Sequence, residues 1–164
     1  MPYALSLKGA SPWPAVSITA ALRPLKIADA TCDDPRWPAL SARLDELRER
    51  GRRALRIVHV PCGDGSLLIA AARRARSLGF LSIEALGADV DPEYIERARR
   101  QACLHMDSAI GFAFEVAPPL ARLEAEAEFP ADIVLYQATA GTPKALLEAA
   151  RRAGDLVLHA RFSA

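Results

Sequence analysis

Two places in this sequence carry residues whose types and spacing could do chemistry. The first is HVPCGDGSLL, His59 to Leu68, where Gly63 and Gly65 flank Asp64 at the crossing from an apolar run into a helix-like run. Glycine at such a crossing lets the main chain approach a ligand closely and adopt dihedrals that a Cβ would forbid. The helix that starts there adds unpaired N–H groups. The second place is Asp89, which ends the next apolar run in GADVDPEYIERAR. A carboxylate at that point can accept both hydroxyls of a ribose, because its two oxygens match a vicinal diol. A dinucleotide fingerprint would need a third glycine three residues after Gly65, and that residue is Leu68. The pyrophosphate reading therefore loses ground, although either kind of cofactor would use Asp89.

These residues need a scaffold, and the chain alternates in a way that provides one. Short apolar runs read as strands at Leu55 to Val60, Leu81 to Ala88, Gly111 to Val116, Ala131 to Gln137 and Leu156 to Ala160. Between them lie helix-period runs at Ser66 to Leu78, Pro92 to His105, Leu120 to Glu126 and Pro143 to Ala153. A further helix precedes them: Asp34 can cap, Pro35 suits the first helical position, and Leu40, Leu44 and Leu47 recur until Gly51 stops the run. Asp91, immediately before Pro92, is the cap expected for its helix. Such β-α-β-α order calls for right-handed crossovers and an α/β, three-layer αβα sandwich around a mostly parallel, doubly wound sheet. Runs such as IVHV, DIVLY and LVLHA are nearly continuous apolar stretches, as strands buried on both faces should be. In an open sheet of this kind the ligand crevice lies beyond the carboxyl ends of the strands, where the winding reverses. The glycine loop and Asp89 both fall at that end.

Residues 1–34 read as a proline-punctuated N-terminal arm, and 35–164 as the domain. The arm's one regular signal is the alternation at 15–20, which reads as a short strand, and Trp13 is expected to pin the arm to the domain surface.

Composition narrows the function classes. With 51% apolar and 25% charged residues, the 164-residue chain can close a globular core. Its formal net charge of +1 provides no global field toward nucleic acid or an anionic membrane. The arginine clusters flank predicted helices and read as solvated faces, so no nucleic-acid partner is expected. Three cysteines without CxxC spacing argue against a disulfide framework and a structural zinc site, and no metal is expected. No run is apolar and long enough for a leader or a membrane span, so the expected location is the cytoplasm, and the Arg- and Ala-rich wording looks bacterial.

Taken together, IVHVPCGDGSLL, GADVDPEYIERARR, FPADIVLYQAT and ALLEAARRAGDLVLHA resemble, in order, motifs of the class I S-adenosylmethionine-dependent methyltransferases, over about residues 53 to 161. The resemblance implies a Rossmann-like sheet of order 3-2-1-4-5 and S-adenosylmethionine as cofactor, with an acceptor that the sequence does not name. By position it places His59, Pro61, Cys62, Gly63, Asp64 and Gly65 against the cofactor, Asp89 on the ribose hydroxyls, Val90 on the adenine, and Gln137 as a polar group of the pocket. No catalytic residue is assigned, because positioning and exclusion of water can supply much of the acceleration of a methyl transfer. Tyr136 reads as a core aromatic, and Cys62 as a small buried filler.

The chain departs from the family pattern at several points. Where the family's first motif opens with an acid this chain has His59, and where it has its first glycine this chain has Pro61. Neutral imidazole offers one acceptor and no charge to a cationic ammonium, and His59 reads first as a satisfied core histidine. At the end of the third strand, where an acid often meets the adenine amine, Val116 to Pro119 offer none. The family's sheet normally goes on past strand five with a helix and a strand pair, which these 164 residues do not include, so the strand-five edge is expected to be covered by Val16 to Ala20 or by a second copy of the chain. These losses also admit a second reading, a methyltransferase-like binding or scaffold protein with an eroded cofactor site.

Overall fold

The computed structural model describes residues 32–138 and 141–161. In chain order the elements are α1 (Trp37–Glu49), β1 (Ala54–Val60), α2 (Ser66–Ser77), β2 (Ser82–Asp89), α3 (Pro92–Cys103), β3 (Ile110–Val116), α4 (Pro119–Glu126), β4 (Ala131–Ala138), α5 (Lys144–Ala153) and β5 (Gly154–Arg161). The five strands are parallel and lie in the order β3-β2-β1-β4-β5. This is the doubly wound α/β sheet expected from the alternation. The short strand expected at 15–20 and the anchor expected at Trp13 lie outside the described residues. No described helix is long and apolar enough to cross a membrane.

Strand alternation sends successive side chains to opposite faces. On one face Leu55, Ile57, Ile83, Ala85, Ile133 and Leu135 pack under α1, α2 and α3. On the other, Val58, Val60, Val134 and Tyr136 pack under α4 and α5. Tyr136 is 1% exposed and belongs to that second core, as a core aromatic should. The same alternation places His59 in the row of Leu55 and Ile57, directly opposite Gly87 on β2 and Leu135 on β4.

Helix ends follow local chemistry. The Asp91 carboxylate accepts the Glu93 N–H at 2.8 Å and caps α3. At α1 the Asp34 carboxylate accepts the Arg36 N–H at 2.9 Å, a turn forms over 35–36, and the helix begins at Trp37, two residues later than the Pro35 start expected. Gly51 and Gly79, at φ +81° and +89°, close α1 and α2 with the left-handed residue that ends many helices. The sheet thus turns its carboxyl edge, with the winding reversal between β1 and β4, toward the loops after β1, β2 and β4.

Candidate functional site

Construction of the site begins with the loop from β1 to α2. Cys62 donates its N–H to the Ala88 carbonyl at 2.9 Å, which stitches the loop to the end of β2, and Gly65 donates to the Cys62 carbonyl at 3.1 Å to close the turn. Gly63 and Gly65 both adopt positive φ, +54° and +78°. They differ in what surrounds them. A Cβ on Gly65 would lie 2.9 Å from the Ala98 Cβ and 3.0 Å from Phe114 Cε1, so this glycine lets α3 and β3 close against the loop. A Cβ on Gly63 would meet nothing within 4 Å. Gly65 is a packing glycine, and Gly63 presents bare backbone to open space.

Asp89, at the end of β2, braces that loop. Its Oδ2 accepts the Gly63 N–H at 2.8 Å and its Oδ1 accepts the Asp91 N–H at 3.1 Å. The residue is 6% exposed. Each oxygen has already taken one backbone donor, and a carboxylate oxygen can accept about two.

Beyond the loop, a hollow of about 210 Å³ opens at the carboxyl ends of β1 and β4. Of the residues singled out in the sequence, His59, Pro61, Cys62, Gly63, Asp64 and Gln137 line it, whereas Gly65, Asp89 and Val90 do not. Five lining residues were not singled out for this role: Ser66 and Leu67, which follow the glycine loop, and Cys32, Asp34 and Arg36, which lie ahead of β1. Arg36 Nε and Nη2 grip the two Asp34 oxygens at 2.9 and 2.7 Å, and Nη1 donates to the Tyr136 carbonyl at 3.1 Å. That last bond joins the start of α1 to the end of β4 and seats the ion pair beside β1. The guanidinium holds the Asp34 carboxyl below its ordinary range, so the pair is fully ionised at neutral pH. The Asp64 oxygens, also in the lining, take the Ser66 N–H at 3.1 Å, the Ser66 hydroxyl at 2.7 Å and the Gln101 amide at 3.4 Å.

His59 is buried, as a core histidine should be, yet it is not satisfied. It is 4% exposed, and neither Nδ1 nor Nε2 has a hydrogen-bond partner among the described residues. Burial, reinforced by the nearby Arg36 cation, lowers its pKa to about 3, so the ring is neutral, with one donor and one acceptor. An unpaired buried polar group costs about 1–3 kcal/mol, and one that lines a hollow is completed when a ligand or water supplies the partner. Cys62 is inert by comparison: burial, then the Asp89 charge, push its thiol up to about 12, far from a nucleophilic thiolate.

Away from the hollow, the ends of β2 and β3 carry apolar side chains in the open. Val90 is 60% exposed and Val116, which follows in the strand paired with β2, is 53% exposed, with Tyr94 and Leu120 also exposed at the starts of α3 and α4. No group of three or more His, Cys, Asp and Glu among the described residues is placed to hold a metal ion.

Comparison with known proteins returns a fold. No protein-family model matches the sequence, and no curated protein matches it. Solved structures do. An S-adenosylmethionine-dependent methyltransferase from Agrobacterium tumefaciens superposes with a TM-score of 0.58 at 14% identity, over 80% of this chain and 46% of that one. A protein from Staphylococcus aureus described as a candidate caffeoyl-CoA O-methyltransferase superposes with a TM-score of 0.50 at 13% identity, over 76% of this chain and 55% of that one. The chain thus spans about half the length of these structures. Its five-stranded parallel sheet has the Rossmann-like architecture of the class I S-adenosylmethionine-dependent methyltransferases.

Proposed function

We propose that this protein binds S-adenosylmethionine at the carboxyl edge of β1, β2 and β4 and transfers its methyl group to an acceptor not named by the sequence. The observation that carries this reading is the orphaned His59 in the hollow beside Gly63, a buried polar group and a bare backbone facing the same space. At about 210 Å³ the hollow is below the ~300–1,000 Å³ of sites that enclose a whole drug-sized ligand. It suits the amino-acid end of the cofactor, with the nucleoside lying across Asp89 toward the exposed Val90 and Val116.

Bound there, the cofactor supplies a methyl group made electrophilic by its positive sulfur. The chain's part is to hold and to shield. Gly63 permits close approach of the loop, His59 and Gln137 offer hydrogen bonds within the hollow, Asp89 offers its remaining lone pairs to the ribose hydroxyls, and Val90 covers an adenine face. Tyr136 is sealed in the core and takes no part as a base.

A second reading, a binding protein that keeps the fold without the cofactor, draws on Asp89, which is nearly buried and already holds two backbone donors. Calorimetric titration with S-adenosylmethionine and S-adenosylhomocysteine separates the two. The proposal expects binding at micromolar concentrations, weakened at least tenfold in Asp89→Asn. Absence of heat at millimolar ligand with a folded protein supports the second reading and sinks the first.

A further inference from the structure

We propose that the hollow between the end of α2 and the start of β3 is an oxyanion site, in which Arg73 and His105 take a phosphate group, free or carried by a small ester. The site stands apart from the cofactor reading. α2 carries the chain from the carboxyl edge of the sheet to the amino edge, so this hollow lies at the opposite end from the one beside His59.

The hollow holds about 170 Å³ and is lined by Arg73, Arg76, His105, Met106, Asp107 and Ile110. Arg73, in the ARRAR run at 72–76, is half-buried and has neither a hydrogen bond nor an ion pair among the described residues. Every other buried or half-buried arginine among them is held by a carboxylate or a carbonyl. Partial burial takes water from a guanidinium, and a counter-charge is what makes up the loss. The single acid in the lining does not provide one. Asp107 gives both oxygens to Arg76 Nε, at 3.1 and 3.0 Å, and its Oδ1 also accepts the Ala109 N–H at 2.8 Å. With Asp107 matched by Arg76, the Arg73 charge is the excess of the lining.

His105 brings the second donor. Its ring makes no hydrogen bond among the described residues, and burial, then the Arg73 cation, hold its pKa below the ordinary 6.5. Arg73 thus stands near enough to act on the imidazole, while Arg76 and Asp107, which share the space, offset one another. An oxyanion seated between guanidinium and imidazole reverses that influence: it neutralises Arg73 and favours the imidazolium, which then donates a charge-assisted hydrogen bond. Met106, 82% exposed, and Ile110 give apolar surface on which the organic part of an ester can lie.

The histidine-labelled full chain is titrated with sodium sulfate and with inorganic phosphate, against sodium chloride at matched ionic strength, and the His105 ring is followed by NMR. Its signal is assigned by loss in His105→Gln. The expected result is a saturable shift of His105 at millimolar sulfate or phosphate, none in chloride, and His59 and His159 unmoved. Affinity falls at least tenfold in Arg73→Gln and is kept in Arg100→Gln, which removes an exposed cation of α3 outside this lining. An equal shift in chloride, or undiminished affinity in Arg73→Gln, overturns the site. Should Arg73→Gln not fold, sulfate binding is read by calorimetry in the native protein and in His105→Gln. Sulfate keeps its charge between about pH 7.5 and 5.5, so the native affinity should rise at least threefold as pH falls through that range and His105 takes up a proton. The same rise in His105→Gln contradicts the proposal. Phenyl phosphate separates the two sources: tighter binding than inorganic phosphate identifies an ester as the ligand, and equal or weaker binding identifies the free ion.

Discussion

The two ends of the sheet treat buried polar groups in opposite ways. Toward the amino end buried charges are ion-paired, although Arg56 Nε, Arg122 Nε and Glu126 Oε1 have no hydrogen-bond partner among the described residues. Asp132 accepts from Arg52 Nη2 at 2.6 Å and from the Arg56 N–H at 2.9 Å, and the fully buried Glu126 is ion-paired with both Arg56, at 2.7 Å, and Arg122. At the carboxyl end His59 is buried without a partner, Gly63 faces open space, and Val90 and Val116 stand exposed. Proteins rarely leave a buried polar atom unsatisfied without a use for it. The amino end carries buried charges that neutralise one another, whereas His59 at the carboxyl end has neither a hydrogen bond nor an ion pair, and the proposed ligand would supply its partner.

This contrast can be broken at either end, and the largest effect should come from the amino end. Glu126→Ala leaves two arginines without their shared anion and should cost about 3 kcal/mol in urea unfolding, with ligand binding unchanged. Gly65→Ala meets Ala98 and Phe114 as well as an unfavourable φ, and should cost about 2 kcal/mol. Gly63→Ala, at positive φ but in open space, should cost about 1 kcal/mol and lose most S-adenosylhomocysteine affinity. Equal ligand loss in folded samples of both glycine variants would erase the distinction between them.

His59→Leu should move stability and binding in opposite directions. Removing two unsatisfied nitrogens should stabilise the free protein by about 1 kcal/mol, and affinity for S-adenosylhomocysteine should fall. The same variant carries a signature in pH. The folded-state pKa of His59 is lowered from 6.5 to about 3, so the unfolded chain binds a proton that the folded one refuses. His59 therefore contributes no pH-dependent loss above pH 6.5, and stability falls as pH drops from 6.5 toward 3, by at most about 1.4 kcal/mol per unit. Unfolding curves of the native protein and His59→Leu should diverge across that window, and parallel curves would mean that the imidazole is already protonated or solvated.

The sequence revealed the scaffold more fully than the site. Strand and helix identities followed from apolar runs and from Pro92 behind Asp91, because those signals are local. Gly63 and Gly65 read alike as glycines, and only three-dimensional packing assigns one to α3 and Phe114 and the other to the hollow. The commitment of Asp89 to two backbone N–H groups was equally invisible, since it depends on how the β1 loop is seated. Asp34 and Arg36 read as the start of a helix, and their place beside His59 depends on a contact between Arg36 and Tyr136, one hundred residues away. His59 carried the right residue type for a core histidine, but the absence of a partner is a property of its surroundings.

The most direct test of the central claim is to watch the His59 ring by NMR while S-adenosylhomocysteine is titrated into the protein labelled at histidine. The chain has three histidines, so the His59 resonance is assigned by its loss in His59→Leu. The account predicts a saturable shift of the His59 ring nitrogens, with His105 and His159 unmoved. A His59 signal that stays in place while the ligand binds elsewhere, or while no binding is seen at millimolar concentration, contradicts it.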